Sequence, residues 1–526
     1  RRPPRSTLFP YTTLFRSVLE AYPCDVGILK EIIQNAEDAG ATEVHFIHDP
    51  RQHGTTRVLS EQWKDLQGPA LCIYNDCPFT EKDFEGIQKL GIGSKTGSPE
   101  KTGKYGIGFN AVYHVTDCPS FITNAETLCV LDPHARYAPD ATLEFPGRRF
   151  DPLDDEFWEH FADVRPCYLE EFFHLKESTM FRLPIRNDLS AKQSEISSKA
   201  FSNSEIDQLL TIFESEIRET LLFLRNVTRV SISRIENNKL VRRYEASATI
   251  PNTDIPKIQA LDVEIKRSLE LSTSCIPWFG ITYTKTIQDT LGRQDNWLIH
   301  RCLGSRLHGE KKLIPEGSKN GLLPRAAVAA CVTTNESLSP RRRRSDSLQN
   351  PSQNNKIHRA FCFLPLPVET GLPVHLNGQF ILDNSRRNLW KDDGVQGPRA
   401  QWNNFIKNNV LAPAYAELIV SARTCIPGIS KGDPWYFNDI TEAKNGLKWY
   451  HSIFPDSDGV HSEWKSIVLT VYRLLASSNQ PVLPILRDQP SPRPPMTSPR
   501  TFSRFGTKPL FPCLWVPPCR DRKSVV

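Results

Sequence analysis

The chain has 526 residues, 39% of them hydrophobic, which is too long for one ordinary core and predicts two or three domains. Its net charge of +5 arises from 65 basic and 60 acidic side chains interspersed along the chain, which gives little support to wholesale nucleic-acid or membrane-surface binding. No run of eighteen apolar residues and no signal-like leader is seen, so a soluble cytoplasmic protein with no membrane insertion is expected.

In chain order, residues 1–17 (RRPPRSTLFPYTTLFRS) have no clear period, look like translated adapter sequence and are expected to be without structure. From 18 to 190 the pattern predicts one α/β unit: a helix over 27–39 stopped by Gly40, strands over 42–48 and 70–75, a helix over 81–90, a glycine-rich segment, a helix over 108–115, and strands near 120–131 and 178–186. Helices on one sheet, an α+β two-layer sandwich, fit this order. A long amphipathic helix from Glu205 to Leu224, N-capped by Ser204, and an alternating strand over Val227–Ile235 then open a second mixed α/β domain. Its first part covers 191–335.

Residues 336–357 (ESLSPRRRRSDSLQNPSQNNKI) are polar and aperiodic, and are expected to be a disordered basic loop. The second domain resumes over 358–488, with an apolar run at Ala360–Leu366, the segment His375–Trp390, and helices around 400–423 and 462–476. From Gln489 onward nine prolines predict an irregular tail through 526. The thirteen cysteines show neither a CxxC pair nor zinc-ligand spacing and are read as reduced, mostly structural thiols.

Two segments carry chemistry. At about 100° per residue, Glu31, Asn35 and Asp38 share one face of the first helix, beside an apolar stripe of Ile28, Leu29, Ile32, Ile33 and Ala36. One face can pack while the other offers a carboxylate and an amide to a ligand. Gly103, Gly106 and Gly108 let the backbone bring amide N–H groups near phosphate oxygens, and a helix beginning at Phe109 would favour an anion at its N-terminus. A solvated helix carboxylate, a locally bonded amide and an ordinary glycine turn are the plainer alternatives for each taken singly.

Together these segments resemble the Bergerat ATP-binding fold shared by gyrase, the ninety-kilodalton heat-shock chaperone, histidine kinases and MutL. Longer strings, among them QNAEDAGATEV, KYGIGFNAVYHVTDCPSF, LDPHARYAPDAT and LDNSRRNLWKDD, resemble the large internal repeats of the sacsin family over about residues 18–488. The resemblance implies ATP and Mg²⁺ as cofactors, with Glu31 orienting and deprotonating the attacking water and Asn35 completing the metal shell. It assigns Asp38 and the glycines to the pocket, Asp76 to the adenine, Lys95 to the phosphates from a lid, and Thr179 to the base through water. Around Asp76 the sequence reads Tyr74-Asn-Asp-Cys-Pro-Phe-Thr80, lacking both glycines of the usual Asp-x-Gly-x-Gly turn, so a plain strand-end turn is the alternative there. Arg386, in Asp383-Asn-Ser-Arg-Arg-Asn-Leu389, matches an arginine that reaches the γ-phosphate from the second domain, with an arginine satisfying a loop carbonyl or an acidic neighbour as the plainer alternative. The implied activity is weak ATP hydrolysis in protein folding and quality control. Client proteins and the seventy-kilodalton heat-shock chaperone system are the implied partners through the full-length protein, with no nucleic acid. A non-hydrolysing scaffold is the other reading.

Overall fold

A computed structural model describes residues 11–21, 23–88, 108–270, 276–306, 322–335, 357–383, 385–392, 397–425, 436–437, 447–478, 480, 482 and 485–486. The basic loop at 336–356 and the tail from 489 lie outside these residues. Helix α1 (Tyr11–Ala21) forms where the sequence shows no period. Phe15 is buried there with its ring centroid 4.1 Å from that of Tyr113, so residues 11–17 are helical where no structure was expected.

Helix α2 (Gly27–Ala39) buries the predicted stripe of Ile28, Leu29, Ile32, Ile33 and Ala36. It stops at Gly40, whose φ of 93° lies in the left-handed region and whose N–H bonds to the carbonyls of Ala36 and Glu37. A β-carbon is strained in that conformation. Gly40→Ala is therefore expected to lower stability by about 1 kcal/mol, read from a urea denaturation curve; an unshifted midpoint would show that the cap can re-form without the glycine.

The strands follow as β1 (Glu43–Asp49), β2 (Ala70–Asn75), β3 (Ser120–Thr123), β4 (Thr127–Leu131), β5 (Gly147–Phe150) and β6 (Thr179–Pro184), with helices α3 (Glu81–Gln88), α4 (Asp155–His160) and α5 (Asp188–Gln193) between or after them. A 3-10 helix, Gly108–His114, stands where an α-helix over 108–115 was predicted. The buried Arg186 guanidinium binds the carbonyls of Tyr113, His114 and Thr116, drawing the chain out of the α-helical pattern at that end.

The predicted helix Glu205–Leu224 is two pieces, α6 (Asn203–Glu214) and α7 (Ile217–Thr220), parted at Ser215 and Glu216. The N-cap is Ser202, not Ser204: its hydroxyl accepts the Glu205 N–H while the Glu205 carboxylate accepts the Ser202 N–H, a reciprocal pair that Ser204 is too close to Glu205 to make. Strands β7 (Arg229–Glu236) and β8 (Lys239–Thr249), helix α8 (Ile255–Glu270), and strands β9 (Phe279–Asp289), β10 (Gln294–Leu303), β11 (Arg325–Asn335), β12 (Arg359–Cys362), β13 (Leu364–Glu369) and β14 (His375–Gly378) complete the sheet.

These fourteen strands join in one mixed sheet, in the order β13-β12-β14-β11-β10-β9-β8-β7-β1-β2-β6-β3-β4-β5. The sheet runs through the point near 190 at which the sequence divides two domains. The seam is a parallel pairing of β1 with β7, from Glu43 opposite Arg229 to His48 opposite Arg234. Strand alternation sorts side chains to two faces. Val44, Phe46, Leu71, Ile73, Phe181 and Leu183 pack with α2, α6 and α7, whereas Ile47, Cys72, Ile122 and Met180 face a second core under residues 59–66 and 137–175. A third core joins β10, β11 and β14 to the helices Pro398–Phe405, Ala412–Ala422 and Lys465–Ser477.

Candidate functional site

Glu31, Asn35 and Asp38 lie on one side of α2, each half-buried. What meets Glu31 comes from the far end of the chain. After β14 the backbone folds back in a short turn closed by a bridge between Leu382 and Leu389. Asp383 organises the turn: Oδ1 accepts from Ser385 Oγ (2.7 Å) and Arg387 N–H (3.1 Å), and Oδ2 from Asn388 Nδ2 (3.1 Å). Burial pushes the Asp383 carboxyl up, yet the hydrogen bonds from Ser385, Asn388 and Arg387 outweigh it and hold the group below the usual carboxylate range.

This turn sets Arg386 at a φ of 57°, a left-handed conformation that an arginine seldom adopts and that the surrounding bonds must impose. From there Arg386 Nη1 donates to both oxygens of Glu31, at 2.9 and 2.8 Å. Both side chains are largely shielded, 15% and 14% exposed, so the pair is weakly screened by solvent. Arg387 makes a parallel bridge to Asp25 at 2.7 Å. The two bridges wall a cavity of about 560 Å³ between α2 and the β12–β14 region, lined also by Gln34, Arg359, Phe363 and Trp390.

The predicted base-recognition residues sit together at the ends of β2 and β6, where Asn75 and Thr179 are paired. Asp76 is heavily used there: Oδ1 accepts the N–H groups of Thr42 (2.7 Å) and Glu43 (3.0 Å), and Oδ2 accepts the Thr42 hydroxyl. It anchors the start of β1. Of the four or so lone-pair sites of a carboxylate, about one is left. The fully buried Thr179 hydroxyl donates to the Cys77 carbonyl (2.8 Å) and shares a 3.0 Å bond with Thr123 Oγ1. Gly108 opens the 3-10 helix, and Phe109 packs on Phe181 with centroids 5.6 Å apart. Lys95, Gly103 and Gly106 lie outside the described residues.

Sequence reasoning passed over Glu37. Its buried carboxylate accepts the N–H groups of Arg225 (2.8 Å), Asn226 (3.0 Å) and Val227 (2.8 Å), riveting the end of α2 to the approach to β7. Nearby, the buried Lys285 donates to the carbonyls of Leu221, Leu222 and Leu224 beyond the end of α7; burial lowers its ammonium to about 8, against the pull of Glu37. The acid three residues before Gly40 was the available signal for Glu37, but its partners lie 188 to 190 residues away.

With the geometry in view, comparison with known proteins adds two findings. A family model described as Sacsin domain matches residues 9–246. The human (Homo sapiens) protein sacsin is 42% identical over 490 residues, which cover 90% of this chain and 10% of that relative. The chain thus spans about a tenth of the length of the curated relative it matches.

Proposed function

The chain is of sacsin type, and from that premise we propose that it is an ATP-binding module that hydrolyses ATP slowly, with Mg²⁺, in protein folding and quality control. One observation carries the reading. Glu31 and Arg386, the two groups to which the resemblance assigns catalysis, touch in the folded chain although they are 355 positions apart.

The residues fit a magnesium-bound triphosphate at the α2 end, where a carboxylate, an amide and a second carboxylate share one half-buried face and an arginine enters from opposite. Asn35 would complete the metal shell, and Asp38 would line the same face. The bound nucleotide supplies the phosphoanhydride to be cleaved. Glu31 would take the proton of the attacking water, and Arg386 would stabilise charge developing on the phosphoryl oxygens. Each Glu31 oxygen accepts one bond from Nη1 of Arg386, which leaves about two of the carboxylate's four or so lone-pair sites for a water.

The fit is narrower at the base end, where Asp76 keeps about one free lone pair and Thr179 is bonded within the sheet. That observation favours the second reading, a scaffold that keeps the fold for client or partner binding. Calorimetry with Mg²⁺ and ATP separates the two. Binding is expected in the wild type and in Glu31→Ala but lost in Asp76→Asn, an isosteric change that keeps an acceptor for Thr42 and Glu43. A folded wild type that gives no heat of binding would leave the scaffold.

Client proteins and the seventy-kilodalton chaperone system are proposed partners of the longer protein, and a cytoplasmic location is proposed with them. Among the described residues no helix is long and apolar enough to cross a membrane.

A further inference from the structure

The cavity beside Glu31 lies apart from the residues to which the resemblance assigns the base. On α2 its wall includes Gly27, Lys30, Glu31 and Gln34, spaced i, i+3, i+4 and i+7 along one face. Asn35, Asp38, Asp76 and Thr179 are absent from its lining. Glu31 thus stands on the border between the face that carries Asn35 and Asp38 and the face that looks into this space.

The opposite wall is apolar and firmly held. Leu366 and Phe380 are buried there, and the rings of Phe363 and Trp390 are half-buried beside them. Phe363 is fixed at a φ of 66°, with its N–H donating to Asn377 Oδ1 (2.9 Å) and the Arg325 guanidinium 4.6 Å from its ring. The Trp390 indole N–H donates to Asp392 Oδ1 (2.8 Å), and its backbone N–H to the Ile381 carbonyl (2.9 Å). Rings anchored in this way lose little further freedom when a ligand covers them, as a preformed site requires.

The charges in the wall leave one cation over. Each acid is already bonded: Asp25 to Arg387, Glu31 to Arg386, Glu216 to Lys30, and Asp383 within its own turn. Arg359 stands 3.7 Å from Glu219. The remaining cation, Arg399, is exposed and lies 4.4 Å from the centre of the Trp390 ring, and among the described residues no carboxylate is within ion-pair reach of it. A guanidinium steadied over an aromatic ring, facing an apolar space, is suited to a carboxylate attached to an apolar body.

We propose that this cavity is a second binding site, for a short extended peptide that places an apolar side chain on Phe363 and Trp390 and a neighbouring carboxylate on Arg399. Its volume of about 560 Å³ falls in the range that encloses ligands of such a size. The Gln34 amide in the α2 wall both donates and accepts, which matches a peptide group and has no counterpart in a hydrocarbon chain. A triphosphate suits the space less, because it brings several negative charges to one unmatched cation. The site does not depend on the nucleotide reading.

Saturation-transfer NMR on the full chain, with tripeptides blocked at both ends, tests the proposal. Acetylated Leu-Phe-Glu amide is expected to bind about tenfold more tightly than its Leu-Phe-Lys and Ser-Gly-Glu counterparts, which lack the charge match and the apolar side chains respectively. Arg399→Glu, a change at an exposed position, should reverse the order of the Glu and Lys peptides. Loss of folding cannot produce that reversal. No binding of any tripeptide, equal binding of the Glu and Lys peptides by the wild type, or an unreversed order in Arg399→Glu would overturn the site. Phenylacetate binding as tightly as the tripeptide would overturn the peptide assignment, and displacement of the tripeptide by Mg²⁺ and ATP would overturn the separation of the two sites. A chain that binds the tripeptide but no ATP would refute the nucleotide reading and support this site on its own.

Discussion

Glu31→Gln is expected to lower steady-state ATP turnover by about 10²–10⁴-fold, the usual worth of a positioned proton acceptor, while ATP affinity changes by less than about threefold. The glutamine is the cleaner substitution because its carbonyl can still accept from Arg386 Nη1, which now bonds both carboxylate oxygens. Alanine would leave a guanidinium that is 15% exposed without its counter-charge, mixing a folding defect into the rate. Phosphate release measured in single-turnover mode, alongside calorimetric affinity, keeps chemistry apart from binding. Equal turnover in wild type and Glu31→Gln would remove Glu31 from the reaction and with it the hydrolytic reading.

The largest loss of stability is expected from Glu37→Ala. Three backbone N–H groups, those of Arg225, Asn226 and Val227, lose their acceptor at once, and the Val227 bond is buried. At about 1–2 kcal/mol for each stranded donor, the variant should be less stable by about 3–6 kcal/mol. Glu37→Gln keeps one acceptor oxygen and should lose about half as much. Urea unfolding followed by circular dichroism reads both changes. A loss under about 1 kcal/mol in Glu37→Ala would mean that water replaces the carboxylate and the rivet is dispensable.

Local signals in the sequence were read well and distant ones were not. The α2 stripe and its stop at Gly40 follow from periodicity and a single left-handed residue, and β2 follows from a short apolar run, so both emerge with the predicted character. The break between α6 and α7 leaves no periodic trace, because Leu209, Leu210, Phe213 and Ile217 keep one buried face across it. The helix predicted around 400–423 contains a π-helical turn at Ile406–Leu411. Pro413 accounts for it: a proline lacks the N–H and crowds the carbonyl four residues back, and an extra residue in the turn relieves that clash. At the site, Glu31 and Arg386 were named for their chemistry, but their contact depends on the Asp383 turn and a left-handed arginine that no spacing announces. The structural bonds of Asp76 to Thr42 and Glu43 were hidden for the same reason, since they cross 33 and 34 positions.

The parallel seam of β1 and β7 has a mechanical consequence. Six consecutive residue pairs cross it, so the halves of the chain cannot swing apart like jaws without tearing a ladder that the cores on both faces also clamp. The molecule is closer to a girder than to a hinge. The turn that carries Arg386 and Arg387 is tied to this girder at the cleft beside Glu31 through side-chain bonds to Glu31 and Asp25.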